Sequence, residues 1–276
     1  MKVIQAKSAG FCYGVQRAVE LAEQTARERG GCVMLGSIIH NAHVVQHLEQ
    51  LGAHQVAGPE EIRPGDTVLI RAHGEKKQVI GHLKDIGAEC VDATCPNVLR
   101  VQQIVAQADA EGRVPIIIGD PNHPEVMGVA SWSARSVVFE GAEALQRWLD
   151  EDPARRELPL TAVAQTTCIR IIWDGAAEIL KKQCTNAKIF DTICNATHKR
   201  QSEAAELASQ VDVMVVVGDR KSANTKHLTE ICSRQCPAVY QIERAEELKR
   251  DFLTGCSVAG LTAGASTPAG IIKEVY

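Results

Sequence analysis

Several features typical of other protein classes are missing from this 276-residue sequence. No apolar run approaches the roughly 20 residues that cross a bilayer, and the initial MKVIQA lacks the basic and apolar regions of a secretory signal. Aromatic residues make up only 4% of the chain and the net charge is -4, which leaves little for base stacking or phosphate-backbone contacts. We therefore expect a cytoplasmic protein that binds neither membranes nor nucleic acid.

The sequence also lacks the two close cysteine pairs of a structural zinc site, although it contains ten cysteines. Cys232 and Cys236 are separated by only three residues, but no second pair lies near them. Structural disulfides are not expected in a reducing compartment. Seven cysteines are therefore interpreted as small hydrophobic or incidental residues: Cys32, Cys90, Cys168, Cys184, Cys232, Cys236 and Cys256.

The other three cysteines share a local pattern. Cys12, Cys95 and Cys194 each follow a strand-like run and precede a helical pattern, and the last two share the motif Asp-x-x-Cys. Each therefore lies at a strand-to-helix junction, near a helix N-terminus. The repeat continues downstream, because a polar residue follows an apolar run 28 residues after each cysteine: His40, His123 and Ser222.

Further apolar runs end in polar loops that contain His73, Thr166 and Ser266, at offsets of 61, 71 and 72 residues from the preceding cysteine. Strands that alternate with helices predict parallel α/β units. We predict three small α/β domains related by pseudo-threefold symmetry, at residues 1–95, 96–193 and 194–276. Because loops beyond the carboxyl ends of parallel strands hold ligands, the three cysteines and the polar residues should converge on one site.

Three thiolates from distant segments suit a [4Fe–4S] cluster that keeps one iron without a protein ligand. The polar residues at the strand ends could bind phosphate oxygens: His40, His73, His123, Ser222, Asn224 and Ser266. Glu125, beside His123, can donate a proton if burial raises its pKa, and Thr166 can relay that proton or orient a hydroxyl. Each of these residues could instead have an ordinary structural role, as a satisfied histidine, a loop acid or a strand-end hydroxyl.

Nine short motifs then resemble those of the 4-hydroxy-3-methylbut-2-enyl diphosphate reductase (IspH/LytB) family, in the family's order. They are Gly10-Phe11-Cys12-Tyr13-Gly14-Val15, His40-Asn41, Ala72-His73-Gly74, Asp92-Ala93-Thr94-Cys95-Pro96, Asn122-His123-Pro124-Glu125-Val126, Gln165-Thr166-Thr167, Ile193-Cys194-Asn195-Ala196-Thr197, Ser222-Ala223-Asn224 and Ala263-Gly264-Ala265-Ser266. Each motif is short, but together they span residues 10–266.

The resemblance implies a trefoil of three α/β domains around a central [4Fe–4S] cluster held by Cys12, Cys95 and Cys194. It implies a reductive dehydroxylation in the non-mevalonate pathway, in which two electrons and two protons give isopentenyl and dimethylallyl diphosphates plus water. Glu125 would supply the proton for the leaving hydroxyl, with Thr166 in the relay, and ferredoxin or flavodoxin would supply electrons. The implied diphosphate site consists of His40, His73, His123, Ser222, Ala223, Asn224 and Ser266.

Two departures from the family pattern stand out. Many members have a second serine where this chain has Ala223, so one diphosphate contact must be absent or replaced. The sequence also stops at Tyr276, whereas many relatives have a longer C-terminal tail.

Two other hypotheses remain: an iron–sulfur sensor, for which no DNA-reading motif is found, and a zinc hydrolase that uses the histidines as ligands. Metal content distinguishes the reductase from the hydrolase: the reductase would contain iron and labile sulfide, and the hydrolase would contain zinc without sulfide.

Overall fold

The computed structural model describes all 276 residues and contains twelve strands and ten α-helices. The strands are β1 (Lys2–Gln5), β2 (Cys32–Leu35), β3 (Ala53–Val56), β4 (Thr67–Ile70), β5 (Glu89–Asp92), β6 (Val114–Ile118), β7 (Val137–Phe139), β8 (Leu160–Ala164), β9 (Ala187–Ile189), β10 (Val213–Val217), β11 (Val239–Ile242) and β12 (Val258–Ala263). The helices are α1 (Tyr13–Arg29), α2 (Ala42–Gln50), α3 (Lys77–Asp85), α4 (Pro96–Ala110), α5 (Pro124–Ala130), α6 (Ala142–Glu151), α7 (Arg170–Gln183), α8 (Asn195–Ala208), α9 (Ala223–Ser233) and α10 (Ala269–Val275). No helix combines the length and the apolar character that a membrane crossing demands.

The strands form three separate four-stranded sheets, and every strand pair is parallel. The first sheet has the order β3-β2-β4-β5, the second β7-β6-β8-β9 and the third β11-β10-β12-β1. In all three, the strand that comes first along its unit lies between the second and the third. The predicted α/β class with three small parallel sheets is confirmed.

The N-terminal strand belongs to the third sheet. β1 pairs with β12 in parallel, with Lys2 opposite Val258, and it takes the edge position that β5 and β9 occupy in the other sheets. The predicted first domain, 1–95, therefore contains one strand that lies in the third sheet. Strand pairing is a property of the folded chain, and the four residues KVIQ contain no signal for their partner. With β1 reassigned, we propose the boundaries after residues 95 and 193 as the limits of the three units.

The helices that follow the three cysteines open the three units. In α1, Ala18, Ala22 and Ala26 recur every four residues and lie on one buried face, which packs with the first sheet around Met34. The helix ends at Gly30, whose φ of 68° lies in the left-handed region that favours glycine. The helices α4 and α8 bury equivalent faces against the second and third sheets. Each helix therefore fixes its cysteine relative to a hydrophobic core.

Each cysteine thus lies where the chain passes from one unit to the next. Cys12 follows β1 of the third sheet, Cys95 follows β5 of the first, and Cys194 follows β9 of the second. The backbone N–H of each cysteine donates to a carbonyl in the loop after the third strand of the unit it leaves. The acceptors are Ala265 at 3.2 Å, Ala72 at 2.9 Å and Thr166 at 3.0 Å, in the same order.

Candidate active site

One cavity lies where the three units meet, and it encloses about 730 Å³ including its open mouth. All twelve sequence-predicted site residues line this cavity: Cys12, His40, His73, Cys95, His123, Glu125, Thr166, Cys194, Ser222, Ala223, Asn224 and Ser266. The loops after the first strand of each unit contribute His40, His123 and Ser222, and the loops after the third strand contribute His73, Thr166 and Ser266. This is the carboxyl end of each sheet, where parallel α/β folds hold ligands.

The three cysteines are the N-cap residues of α1, α4 and α8, and none is in a disulfide. All three are half-buried, and no cysteine side chain caps its own helix. Burial raises the pKa of the Cys95 thiol, while hydrogen bonds from the backbone N–H groups of Asn97 and Val98 act in the opposite direction. Helix N-termini favour negative charge, so the backbone in this region suits sulfur ligands.

The backbone also leaves space for sulfur at Gly14, in the first turn of α1. A Cβ atom at this position would lie 2.5 Å from Cys95 Sγ, which is too close for any side chain. Gly14 therefore allows a helix of the first unit to approach the thiol that opens the second. The donor set and this close approach both fit a group that is bound by three cysteine sulfurs.

For the iron–sulfur cluster that the sequence predicts, Gly14→Ala is expected to lower the iron content per chain. It should also destabilise the fold by about 1–3 kcal/mol through overpacking. Iron assay and urea unfolding measure the two effects. Gly81→Ala is the matched control, because Gly81 also lies in a helix and a Cβ atom there meets nothing within 4 Å. The control should gain about 0.5–1 kcal/mol. A Gly14→Ala protein with full iron and unchanged unfolding would contradict the role of this glycine.

Three histidines form a compact cluster on another wall of the cavity. The ring centroids of His40 and His73 are 4.6 Å apart, and that of His123 lies 5.9 Å from the first and 5.3 Å from the second. Burial lowers the pKa of each ring: that of His123 to about 4 and that of His73 well below its ordinary value. His123 Nδ1 accepts a hydrogen bond from the Glu125 backbone at 3.1 Å. The cluster is therefore neutral at pH 7.

Several buried polar atoms around the cavity have no hydrogen-bond partner in the protein. They include His40 Nε2, His73 Nδ1, Asn224 Nδ2 and Ser266 Oγ. Buried polar groups are almost always hydrogen-bonded, and these four come from the first and third units and line one cavity. The arrangement suits a ligand with several acceptor oxygens. The ring nitrogens of the three histidines also lie within 4.8 Å of one another, as metal ligands could.

Glu125 and Thr166 form a closed pair inside the cavity wall. Glu125 is only 2% exposed, and its carboxylate accepts hydrogen bonds from Thr166 N at 2.6 Å and Thr166 Oγ1 at 2.8 Å. Burial raises the pKa of Glu125 to about 7, although both hydrogen bonds from Thr166 lower it. A carboxyl with this pKa is half protonated near neutral pH and can donate a proton.

Two further residues of the site had no separate signal in the sequence. Asn97 Nδ2 donates to Cys194 Sγ at 3.1 Å, so the second unit contacts the third thiol directly. Arg200 is 5% exposed, donates to the Gly10 carbonyl at 2.6 Å, and lines the cavity beside the cysteines. In the sequence both lie in helical stretches that give no sign of these contacts. Tertiary packing buries Arg200, whereas Asn97 stays exposed.

The interpretation of the other cysteines holds in part. Four of them are buried: Cys32, Cys168, Cys232 and Cys236. Cys232 and Cys236 belong to the hydrophobic core of the third unit and lie outside the cavity. Cys90, Cys184 and Cys256 are half-buried and also lie outside the cavity.

The chain is similar to known proteins over nearly its whole length. The family model described as LytB protein matches residues 3–276. A relative from Caldanaerobacter subterraneus subsp. tengcongensis is 40% identical, with 100% of this chain and 95% of the relative covered. One from Nitratiruptor is 38% identical, with 100% and 97% covered. Both relatives are named 4-hydroxy-3-methylbut-2-enyl diphosphate reductase.

Two solved structures are also similar. One is (E)-4-hydroxy-3-methyl-but-2-enyl diphosphate reductase, described as the terminal enzyme of the non-mevalonate pathway. It is 38% identical with a TM-score of 0.71, and the match covers 100% of this chain and 98% of that one. The other is E-1-hydroxy-2-methyl-but-2-enyl-4-diphosphate reductase from Plasmodium falciparum. It is 26% identical with a TM-score of 0.93, and the match covers 99% and 86%.

Proposed function

The chain belongs to the LytB protein family, and we propose that it performs the reaction named for its relatives, as a 4-hydroxy-3-methylbut-2-enyl diphosphate reductase of the non-mevalonate pathway. The reaction removes the hydroxyl of an allylic diphosphate: the C–O bond breaks, two electrons and two protons enter, and water leaves. Protonation at either end of the allylic fragment gives isopentenyl or dimethylallyl diphosphate. The observation that supports this function best is one cavity that joins three thiols, unpaired buried donors and a protonatable carboxyl.

We propose that Cys12, Cys95 and Cys194 hold a [4Fe–4S] cluster. When bound, such a cluster would supply reducing electrons and one iron that is free of protein ligands. Arg200 would offset negative charge on the sulfurs. Burial lowers the pKa of its guanidinium, and the nearby Cys12 and Cys194 raise it. Asn97 would donate a hydrogen bond to the Cys194 sulfur. Hydrogen bonds to ligand sulfurs are among the factors that tune a cluster's potential.

The diphosphate end of the substrate is assigned to the unpaired donors of the cavity. His40, His73, His123, Ser222, Asn224 and Ser266 line the cavity and would bind phosphate oxygens. Ser222 is the N-cap residue of α9, so this helix begins beside the site and its N-terminus favours an anion. Ala223 offers its backbone N–H in the first turn but no side-chain donor.

Pyrophosphate binding is expected to take up protons. The three histidines are neutral in the free protein, because burial lowers their pKa values. A nearby anion raises a histidine pKa by about one to three units. Binding should therefore weaken as the pH rises through the raised pKa values of the complex, by up to about tenfold per pH unit for each proton taken up. Calorimetry at pH 6–7 in buffers of different ionisation enthalpy measures this uptake. Buffer-independent heats would contradict it.

Glu125 is the proposed proton donor to the leaving hydroxyl. Its buried position keeps a population of protonated carboxyl near pH 7, and Thr166 Oγ1 lies 2.8 Å from the carboxylate oxygen that would carry the proton. The Thr166 hydroxyl can both donate and accept, so it can relay the proton towards the cavity. The electrons are proposed to come from a small protein donor such as ferredoxin or flavodoxin.

Anaerobic purification with iron and sulfide assays, followed by turnover, tests the function. We expect about four irons and four sulfides per chain, and isopentenyl and dimethylallyl diphosphates when the hydroxylated allylic diphosphate and a chemical reductant are added. Zinc without sulfide after anaerobic reconstitution would refute the proposal and favour a hydrolase with metal on the three histidines. A full cluster without turnover would point to a sensor or to a different substrate.

A further inference from the structure

The turn that contains Thr166 is held by the third unit. It runs from Gln165 to Ile169, between β8 and α7, and three consecutive carbonyls in it accept hydrogen bonds from residues of the third unit. The Thr166 carbonyl accepts from the backbone N–H of Cys194, and the Cys168 carbonyl accepts from Gln201 Nε2 at 3.0 Å. Between them, the Thr167 carbonyl lies 2.6 Å from His227 Nδ1.

The contact to Thr167 defines the protonation of His227. A carbonyl oxygen only accepts, so Nδ1 must carry the proton. This holds for the cation and for the neutral Nδ1–H tautomer, and the bond therefore does not require a charged ring. His227 is half-buried, and burial lowers its pKa.

The position of His227 links two functions of the site. It lies in the second turn of α9, whose first turn contains Ser222 at the N-cap and Asn224. Its hydrogen bond reaches the carbonyl of Thr167. The residue before it, Thr166, donates two hydrogen bonds to Glu125. One rigid helix therefore contacts both the proposed diphosphate end and the segment that holds the proposed proton donor.

We propose that His227 is a positioning residue that holds the Thr166–Thr167 turn against Glu125 through its hydrogen bond to the Thr167 carbonyl. The inference rests on the proposed function of Glu125 as proton donor. Without this bond, the turn loses one of its three anchors to the third unit. The two hydrogen bonds from Thr166 to the carboxylate then become longer or less frequently formed.

The expected change in pH dependence has a definite sign. The hydrogen bonds from Thr166 stabilise the Glu125 carboxylate and hold its pKa down, so their loss raises that pKa. The active form is protonated, so activity is lost as the pH rises through the pKa of Glu125, and this alkaline limb moves to higher pH.

The charged or titratable groups that act on His227 are Glu230, Asp120 and Lys226, and His227 itself lowers the pKa of His123. Cys168 faces Glu125 and stays a neutral thiol, because burial raises its pKa to about 12.

The test compares His227→Phe with His227→Asn in the cluster-loaded protein. Phenylalanine retains the ring volume and removes the donor, whereas asparagine Nδ2 occupies nearly the position of histidine Nδ1. For His227→Phe we expect kcat to fall about tenfold, less than the roughly hundredfold that a 1 Å misplacement of catalytic groups can cost, because two of the three anchors remain. KM should stay within about twofold, and the alkaline limb should move to higher pH. His227→Asn should restore both kcat and the limb. Thr229→Val, which removes a hydrogen bond between α9 and Gln241, is the control and should leave both unchanged.

Infrared titration of the Glu125 carboxyl provides a readout that needs no turnover. The C=O stretch of protonated Glu125, identified by its absence in Glu125→Gln, should persist to higher pH in His227→Phe than in the wild type. This shift would support the positioning role even if the substrate assignment failed. An unchanged titration and pH profile in His227→Phe, or an equal loss of kcat in His227→Asn, would overturn the proposal. If His227→Phe does not fold, His227→Leu replaces it in the infrared titration of Glu125, with His227→Asn as the comparison.

Discussion

Glu125→Gln is expected to lower kcat by about 10²–10⁴-fold, the usual contribution of a general acid. Glutamine has nearly the same volume and still accepts a hydrogen bond from Thr166, but its amide is not an acid and cannot transfer a proton to the leaving hydroxyl. The carboxyl of Glu125 is buried and its pKa is about 7, so its protonation changes near neutral pH. The variant should retain its iron, its sulfide and its affinity for inorganic pyrophosphate.

The pH profile gives a second check on this prediction. Wild-type activity should fall as the pH rises through the pKa of Glu125, because the protonated form is the active one. In Glu125→Gln this alkaline limb should disappear from the residual kcat, measured at saturating substrate so that the pH dependence of diphosphate binding does not contribute. Thr166→Val is the matched variant, since it retains the carboxyl but removes the hydroxyl that donates to it. Full turnover in Glu125→Gln, with an unchanged profile, would remove this residue from the proton-donor role.

Cys12→Ser, Cys95→Ser and Cys194→Ser are each expected to lose the cluster and, with it, all reductase activity. The three thiols line one cavity and no other cysteine does, so none can take the place of a missing one. Serine has a similar shape but is a poor ligand for iron–sulfur clusters, which are held by thiolates. Iron and sulfide per chain, the visible absorption of the cluster and turnover with a chemical reductant measure the effect.

Cys90→Ser and Cys184→Ser are suitable controls for these variants. Both thiols are half-buried, as the three proposed ligands are, but they lie outside the cavity. Each control should retain about four irons per chain and full activity. Normal iron content in any of the three ligand variants would contradict the assignment of that cysteine.

The sequence predicts the three-sheet fold well because its strands are short, apolar and bounded by polar loops. The common spacing of 28 residues from cysteine to polar loop corresponds to one helix, one strand and the first loop of each unit. The sequence does not predict that β1 joins the third sheet, because pairing depends on which edge is open in the folded molecule. Hydrophobic periodicity identifies a strand but not its neighbour.

The candidate site is predictable to the extent that its residues follow strands. His40, His73 and Ser266 follow apolar runs, and the carboxyl ends of parallel strands hold ligands, so their convergence could be anticipated. Arg200 and His227 could not be found in this way. Both lie inside polar helices, and their functions depend on contacts with carbonyls that are distant in the sequence. Such contacts leave no mark in the local sequence.

The pairing of β1 with β12 also governs the order in which the protein can fold during synthesis. Lys2 pairs with Val258, so about 250 residues must emerge from the ribosome before the N-terminal strand finds its place. The first two sheets have all their strands earlier and can form as they are made. Cys12 is held by a backbone hydrogen bond to Ala265, and this bond forms only when the third sheet is complete. A nascent chain therefore has at most two of the three proposed ligands in place until translation is nearly finished.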